Sequence, residues 1–134
     1  GFIGSPPMNF ILGNMTKSGD AYVFECEGFK FEVPKDLTHL LEAYVGKEIT
    51  FGIRPEDIWD PISADWVPNK LRLTTTIDFR EIIGAETYLY VHVGKTNMVA
   101  RVSGTCDRDS GNYDVIMNLG KLHFFDPATQ LAII

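Results

Sequence analysis

The sequence has few cysteines and no long apolar run, and each shortage excludes a class of protein. Two cysteines, Cys26 and Cys106, occur in 134 residues and lie far apart in the chain. That spacing argues against a secreted scaffold held together by disulfides. Two thiols in a reducing cytosol are the preferred interpretation, and one long-range disulfide is the alternative. No segment approaches the roughly 20 apolar residues that a membrane-spanning helix needs, so we expect no membrane insertion.

Basic residues are also in short supply. The chain has 18 acidic and 12 basic residues and a formal net charge of -6. Nucleic-acid binding depends on a basic surface that releases counterions, so we expect no nucleic-acid partner. What is abundant is apolar residues, at 45%, including nine Phe, five Tyr and two Trp. A chain of this length buries about two-thirds of its unfolded surface and needs no disulfide or metal to fold.

Motifs that carry chemistry are scarce. Gly94-Lys95-Thr96 matches the end of a Walker A loop, but Leu89 stands where that loop needs glycine, and strand-like runs flank the triplet. The triplet therefore predicts a hairpin turn. Three histidines, at positions 39, 92 and 123, have no partner at metal-ligand spacing. No serine or cysteine lies in a recognisable nucleophile motif. We predict no catalytic residue, cofactor site or metal site in this chain.

The N-terminal segment, residues 1–7, has neither the basic nor the apolar region of a signal peptide. It also lacks an initiator methionine. The chain is therefore expected to have been cut from a longer protein.

Strand patterns dominate the rest of the sequence. Apolar and polar residues alternate over 71–79 and again over 88–93, and turn signals separate such runs at intervals of roughly ten residues. One short helix is predicted over 36–45, with Asp36 as its N-cap and Gly46 as its stop. The fold class is therefore all-β, an antiparallel barrel or sandwich with one short helix. Residues 1–68 form the first predicted unit, including a Trp- and Pro-rich loop over 59–68, and residues 69–134 form the second.

Arg54-Pro55-Glu56 follows a predicted strand over 49–53. Because Pro55 has no N–H to donate, the strand should stop there and fix the directions of Arg54 and Glu56. The two charges form either an ordinary surface pair or a fixed polar contact with another domain or subunit. The residues alone leave both interpretations open.

Three motifs then combine into a family resemblance. They are Gly1–Phe10, Gly52–Asp57 and Leu122–Asp126, and the run Glu81–Val91 adds to them. In this order and spacing, they resemble the C-terminal regulatory region of sugar-importer ABC ATPases, the group typified by the maltose-transporter ATPase. The resemblance covers essentially the whole chain.

The resemblance implies OB-like barrels of the TOBE type in a non-catalytic regulatory and dimerisation domain. It implies a homodimer, contact with the parent's own ATPase domain and with the transporter's membrane subunits, and in some members a regulatory protein. ATP and magnesium would bind in the missing domain of the parent, which would hydrolyse ATP to import a sugar or a glycerol-phosphate-type solute. The location implied is cytoplasmic, at the inner face of the cell membrane. This chain lacks Walker A, the ABC signature and Walker B, so it should not be an enzyme by itself.

The resemblance also implies a set of contact residues. Residues 2–10 would join the missing ATPase domain to the first strand, Arg54 and Glu56 would lie between β units or face the neighbouring subunit, and residues 124–126 would close the last strand. The expected interdomain or dimer contacts are Phe2, Gly4, Pro6, Asn9, Arg54, Pro55, Glu56, Phe124, Phe125 and Asp126. Position 130 often holds glycine in the family, whereas here it is Gln130.

A small-ligand or oxyanion-binding domain is the alternative function, because related TOBE-type barrels bind molybdate or tungstate. Such a site needs clustered amides and hydroxyls at a barrel interface. The candidate segments are Thr74-Thr75-Thr76 and Ser103-Gly104-Thr105.

Overall fold

The computed structural model describes residues 6–102 and 106–134. This part of the chain contains ten strands, and every strand pair is antiparallel. The strands are β1 (Asn9–Ser18), β2 (Ala21–Glu25), β3 (Lys30–Glu32), β4 (Lys47–Ile53), β5 (Ile58–Trp59), β6 (Lys70–Ile83), β7 (Glu86–Val93), β8 (Thr96–Val102), β9 (Gly111–Asn118) and β10 (His123–Phe125). The predicted all-β class is confirmed.

The strands form two five-stranded sheets. Sheet A has the order β10-β4-β1-β2-β3, and sheet B has the order β5-β9-β6-β7-β8. The last strand, β10, pairs with β4 in sheet A, while β5 pairs with β9 in sheet B. The two sheets therefore do not divide at the predicted boundary after residue 68, because each takes one short strand from the other side of it.

One continuous apolar core links the two sheets. In sheet A it is dominated by aromatic rings, with Phe24 packed 5.4 Å from Phe51 and 5.8 Å from Phe124, measured between ring centroids. In sheet B it is aliphatic, with Leu89 and Val115 fully buried. Alternation along each strand places these side chains inward.

The predicted helix over 36–45 is wrong. That segment contains two 3-10 helices, Lys35–Leu37 and Glu42–Tyr44, with a turn between them. The apolar spacing that indicated an α-helix also suits 3-10 turns, in which every third residue lies on one side. Asp36 is not an N-cap, because the first 3-10 helix begins one residue earlier. Gly46 ends the segment with a φ of +80°.

The predicted hairpin turn at Gly94-Lys95 is confirmed. Gly94 and Lys95 connect β7 to β8 in an antiparallel hairpin, so Gly94-Lys95-Thr96 is not a phosphate loop. In the loop over 59–68, Ala64 and Val67 are buried against Ile116, with Trp59 packed beside them. Cys26 and Cys106 are both free thiols.

Phe79 departs from the predicted pattern. The register between β6 and β7 shifts between Ile77 and Phe79. Ile77 is buried, but Phe79 is 51% exposed. A β-bulge changes which residues face inward, so the alternation that begins at Leu71 does not carry Phe79 into the core.

Candidate functional site

Asn9 joins the two sheets at the start of β1. Its side chain is buried, and its Nδ2 donates to the Ile53 carbonyl and to the Val99 carbonyl, each at 3.0 Å. Its Oδ1 accepts from the Val99 N–H at 2.8 Å. The amide therefore forms hydrogen bonds with both the N–H and the carbonyl of Val99 on the edge strand β8, as the backbone of a neighbouring strand would. Asn9 is thus a contact within the chain, between sheet A and sheet B.

The Arg54-Pro55-Glu56 segment lies at the end of β4, as the proline predicts. A 3-10 helix follows over Pro55–Asp57, and the Asp57 N–H donates to the Arg54 carbonyl at 2.9 Å. Pro55 is buried, whereas Arg54 and Glu56 are exposed. Burial, with the Glu56 charge beside it, raises the pKa of Asp57. The segment is a rigid corner with two outward charges.

Arg54 also reaches the C-terminal part of the chain. Its Nη1 lies 3.2 Å from Nε2 of His123 on β10, and Nδ1 of the same ring lies 3.1 Å from the Ile134 carbonyl oxygen. If Nδ1–H donates to Ile134, then Nε2 accepts from Arg54, and one neutral tautomer satisfies both contacts. His123 was not among the predicted contact residues.

Phe124 and Phe125 occupy opposite faces of β10. Phe124 is fully buried and belongs to the aromatic core. Phe125 lies on the outer face, where its ring meets Phe10 of β1 edge to face with 5.3 Å between centroids. Phe124 is therefore a core residue rather than an interdomain contact, and Phe125 is available at the surface.

Residues 126–134, here called the C-terminal strap, turn back along β10. The Asp126 carboxylate accepts from the Ala128 and Thr129 N–H groups at 2.8 and 3.0 Å and from the Tyr44 hydroxyl at 2.7 Å. These hydrogen bonds, from the Thr129 backbone first, lower the pKa of Asp126. Gln130 has a φ of +63°. This left-handed conformation explains why glycine suits the position.

An apolar area covers the outside of sheet A where β1, β4 and β10 lie side by side. Phe10 and Leu12 are 61% and 54% exposed, and Phe125 lies beside Phe10. Gly52 lies between the flanking strands, and a Cβ there would lie 2.7 Å from both Met8 Sδ and Phe125 Cε2. We call the area formed by Phe10, Leu12, Gly52 and Phe125 the β1–β10 face. It continues into a groove lined by Thr50, Asp126, Pro127 and Gln130.

The predicted contacts thus fall into four groups. Asn9, Pro55 and Phe124 are buried within the chain, while Arg54, Glu56, Phe125 and Asp126 lie at or near the surface. Pro6 is half-buried before β1. Phe2 and Gly4 lie outside the described residues.

Within 6–102 and 106–134, no group of three or more His, Cys, Asp or Glu residues is arranged to hold a metal ion. In the same ranges, no helix has the length and apolar character needed to cross a membrane.

Residues 4–58 match the MalK OB fold domain family. Over nearly its whole length, the chain is similar to ATP-binding proteins of sugar importers.

Three relatives show the similarity to ATP-binding proteins of sugar importers. The oligosaccharides import ATP-binding protein MsmX of Bacillus subtilis is 36% identical over 138 residues, and the trehalose/maltose import ATP-binding protein MalK of Thermococcus litoralis is 35% identical over 137. The multiple sugar-binding transport ATP-binding protein MsmK of Streptococcus mutans is 33% identical over 136. Each alignment covers 99% of this chain and 35–36% of the relative. The chain thus spans about a third of the length of these curated relatives.

A solved structure shares the fold. The molybdate-bound crystal structure of the cytoplasmic molybdate-binding protein ModG superposes with a TM-score of 0.59, covering 93% of this chain and 99% of that one at 11% identity. At that identity the likeness concerns the fold alone.

Proposed function

We propose that this chain is the non-catalytic regulatory and dimerisation domain of an ATP-binding subunit of a sugar importer. The observation that carries the proposal is the relationship to MsmX, MalK and MsmK over 99% of the chain and about a third of each relative. On this proposal, the rest of the parent protein binds ATP and magnesium and hydrolyses ATP. The solute is a sugar or a glycerol-phosphate-type compound.

The proposal includes a place and a set of partners. The parent subunit works at the cytoplasmic side of the membrane against the transporter's membrane subunits, and in some members a regulatory protein docks on the domain. Two copies of the chain meet as a homodimer through the β1–β10 face. Support comes from the exposed Phe10 and Leu12, which are apolar side chains on β1, and from the exposed Arg54, which follows β4 two residues after Gly52 of this face. Apolar centres with a polar rim are typical of protein interfaces.

The oxyanion-binding alternative is not favoured. The Thr75 hydroxyl donates to the Tyr113 carbonyl at 2.7 Å, and the Thr74 hydroxyl donates to Asp114 at 2.7 Å. Both hydroxyls are therefore already engaged by acceptors of the chain. The second candidate segment, Ser103-Gly104-Thr105, lies outside the described residues.

Sedimentation equilibrium of the chain, from about 1 µM to several hundred µM, tests the dimer directly. We expect a reversible dimer that Phe10→Ser and Arg54→Ala both weaken. Ile62→Ser is the matched control, since Ile62 is 89% exposed in the loop over 59–68, away from the β1–β10 face. A monomer over the whole range, or equal weakening by Ile62→Ser, would contradict the assignment of the β1–β10 face.

Thermal melting with Mg-ATP tests the non-catalytic part of the proposal. A ligand that binds only the folded state raises the melting temperature. We expect no change on adding Mg-ATP to this chain. A clear rise would assign nucleotide binding to the domain and contradict the proposal.

A further inference from the structure

The bulge in β6 places an aromatic side chain on the outside of sheet B. Because the β6–β7 register shifts between Ile77 and Phe79, Asp78 and Phe79 are both exposed while Ile77 stays buried. Bulges often re-aim a side chain towards a functional surface. Phe79 is half exposed, which a core-forming aromatic residue would not be.

Phe79 is held rigidly in this exposed position. Its ring stacks on Tyr90 of β7 with 4.2 Å between centroids and an interplanar angle of 11°. The Tyr90 hydroxyl in turn donates to Glu81 Oε1 at 3.3 Å. Burial and the Glu81 charge raise the pKa of Tyr90, which keeps the phenol protonated as a donor. We call Phe79 and Tyr90 with their flanking carboxylates, Asp78 and Glu81, the aromatic platform.

The two flanking carboxylates give the platform a negative charge. Asp78 Oδ1 lies 2.8 Å from Nδ1 of His92, and Glu81 accepts from the Tyr90 hydroxyl. The faces of aromatic rings carry negative electrostatic potential as well, so rings and carboxylates favour the same kind of ligand.

Two tyrosine rings elsewhere in the chain each lie against a cationic side chain. Lys17 Nζ lies 5.1 Å from the Tyr22 ring centroid, and the Arg108 guanidinium carbon lies 5.0 Å from that of Tyr113. Within the described residues, no cation of the chain covers Phe79 in this way. The platform therefore has the chemistry of the chain's own cation–π pairs without an internal cation.

We propose that the aromatic platform binds an arginine side chain carried by a basic segment of a partner protein. A guanidinium is flat enough to stack on Phe79 and can donate to a carboxylate at the same time. The net charge of -6 on the chain attracts a basic partner to the whole surface, and the platform selects where it docks. This site lies on sheet B and is separate from the β1–β10 face on sheet A.

The test uses tetra-arginine amide as the probe with the 134-residue chain. Amide chemical shifts should change chiefly over residues 77–92, and Phe79→Ala should weaken binding by about threefold or more. Glu81→Gln should also weaken binding, because it removes a charge while keeping an acceptor for Tyr90. Ile82→Ala is the matched control, since Ile82 is 63% exposed in the same strand but is not part of the stack. Melting curves check that each variant is folded.

Three outcomes would overturn this proposal. Shift changes spread over the acidic surface, with equal affinity for Phe79→Ala, would mean unspecific attraction. Equal binding of an uncharged leucine-rich peptide would make the platform an apolar docking site. A dimer in sedimentation equilibrium that Phe79→Ala dissociates would mean that a second copy covers the platform.

Discussion

At the scale of single residues, Asn9 is the predicted contact whose side chain joins the two sheets. It makes three hydrogen bonds from a buried position, two of them to the backbone of a strand that lies 90 residues away in sequence. A buried donor or acceptor that loses its partner pays its full desolvation penalty. Asn9 therefore fixes how the start of β1 sits against β8.

We expect Asn9→Ala to lower the free energy of unfolding by about 2–4 kcal/mol. The loss follows because the Val99 N–H and carbonyl and the Ile53 carbonyl all lose their side-chain partner. Asn14→Ala is the matched control, since Asn14 is exposed on the same strand, and it should change the free energy by less than about 0.5 kcal/mol. Urea denaturation measures both, and equal effects would contradict a special role for Asn9.

The sequence predicted Asn9 as a contact through the family motif, but not which groups it contacts. Its partner Val99 has no local signal, because a side-chain amide that pairs with a distant strand leaves no periodic pattern. Pro55 is different. A proline after an alternating run predicts the end of a strand from local chemistry, and β4 ends at Ile53.

At the scale of elements, the C-terminal strap depends on one carboxylate. Asp126 accepts from two backbone N–H groups of its own turn and from Tyr44 near the end of the second 3-10 helix. These bonds favour the charged form, so its folded-state pKa lies below the value in the unfolded chain. The associated stability is present above the unfolded pKa, about 3.9, and is lost as the pH falls towards the folded pKa.

We therefore expect the melting temperature of the native chain to fall from about pH 4 downwards, and that of Asp126→Asn to fall less over the same range. The variant should already be less stable at pH 7, because a neutral amide accepts these hydrogen bonds more weakly. Asp36→Asn, at an exposed position outside the strap, should follow the native curve. Parallel curves for Asp126→Asn and the native chain would rule out this role for Asp126.

Strands and helices were predicted well where the spacing of apolar residues stays constant, and badly where that spacing changes. Alternation from Leu71 onwards located β6, but one extra residue at the bulge reversed the direction of Phe79. The spacing of Leu37, Leu40 and Leu41 fits both an α-helix and successive 3-10 turns. Here Leu41 is fully buried and Leu40 is 52% exposed. Tertiary packing, rather than local propensity, determines which of the two side chains is buried.

At the scale of the whole molecule, the two sheets share one apolar core. β10 belongs to sheet A and β5 to sheet B, and a single core cluster contains Phe51, Leu89 and Met117 from both. Neither sheet can lose its packing without exposing part of the other. A unit boundary predicted from sequence order alone misses this exchange of β5 and β10 between the sheets, since pairing between distant segments leaves no local sequence pattern.

We accordingly expect one unfolding transition, with equal calorimetric and van't Hoff enthalpies. Trp59 and Trp66, which lie 5.3 Å apart beside sheet B, report on that sheet by fluorescence. Amide exchange in β1 and β2 reports on sheet A. The two probes should give the same midpoint, and separate midpoints would show that the sheets unfold independently.

The pairing of β10 with β4 also has a consequence for biosynthesis. As the nascent chain leaves the ribosome, β4 emerges long before residues 123–125, so its outer edge stays open while all of sheet B is being translated. An unpaired strand edge is a template for association with other chains. Sheet A is therefore exposed to misassembly, and to chaperones that recognise such edges, until residues 123–125 have been synthesised.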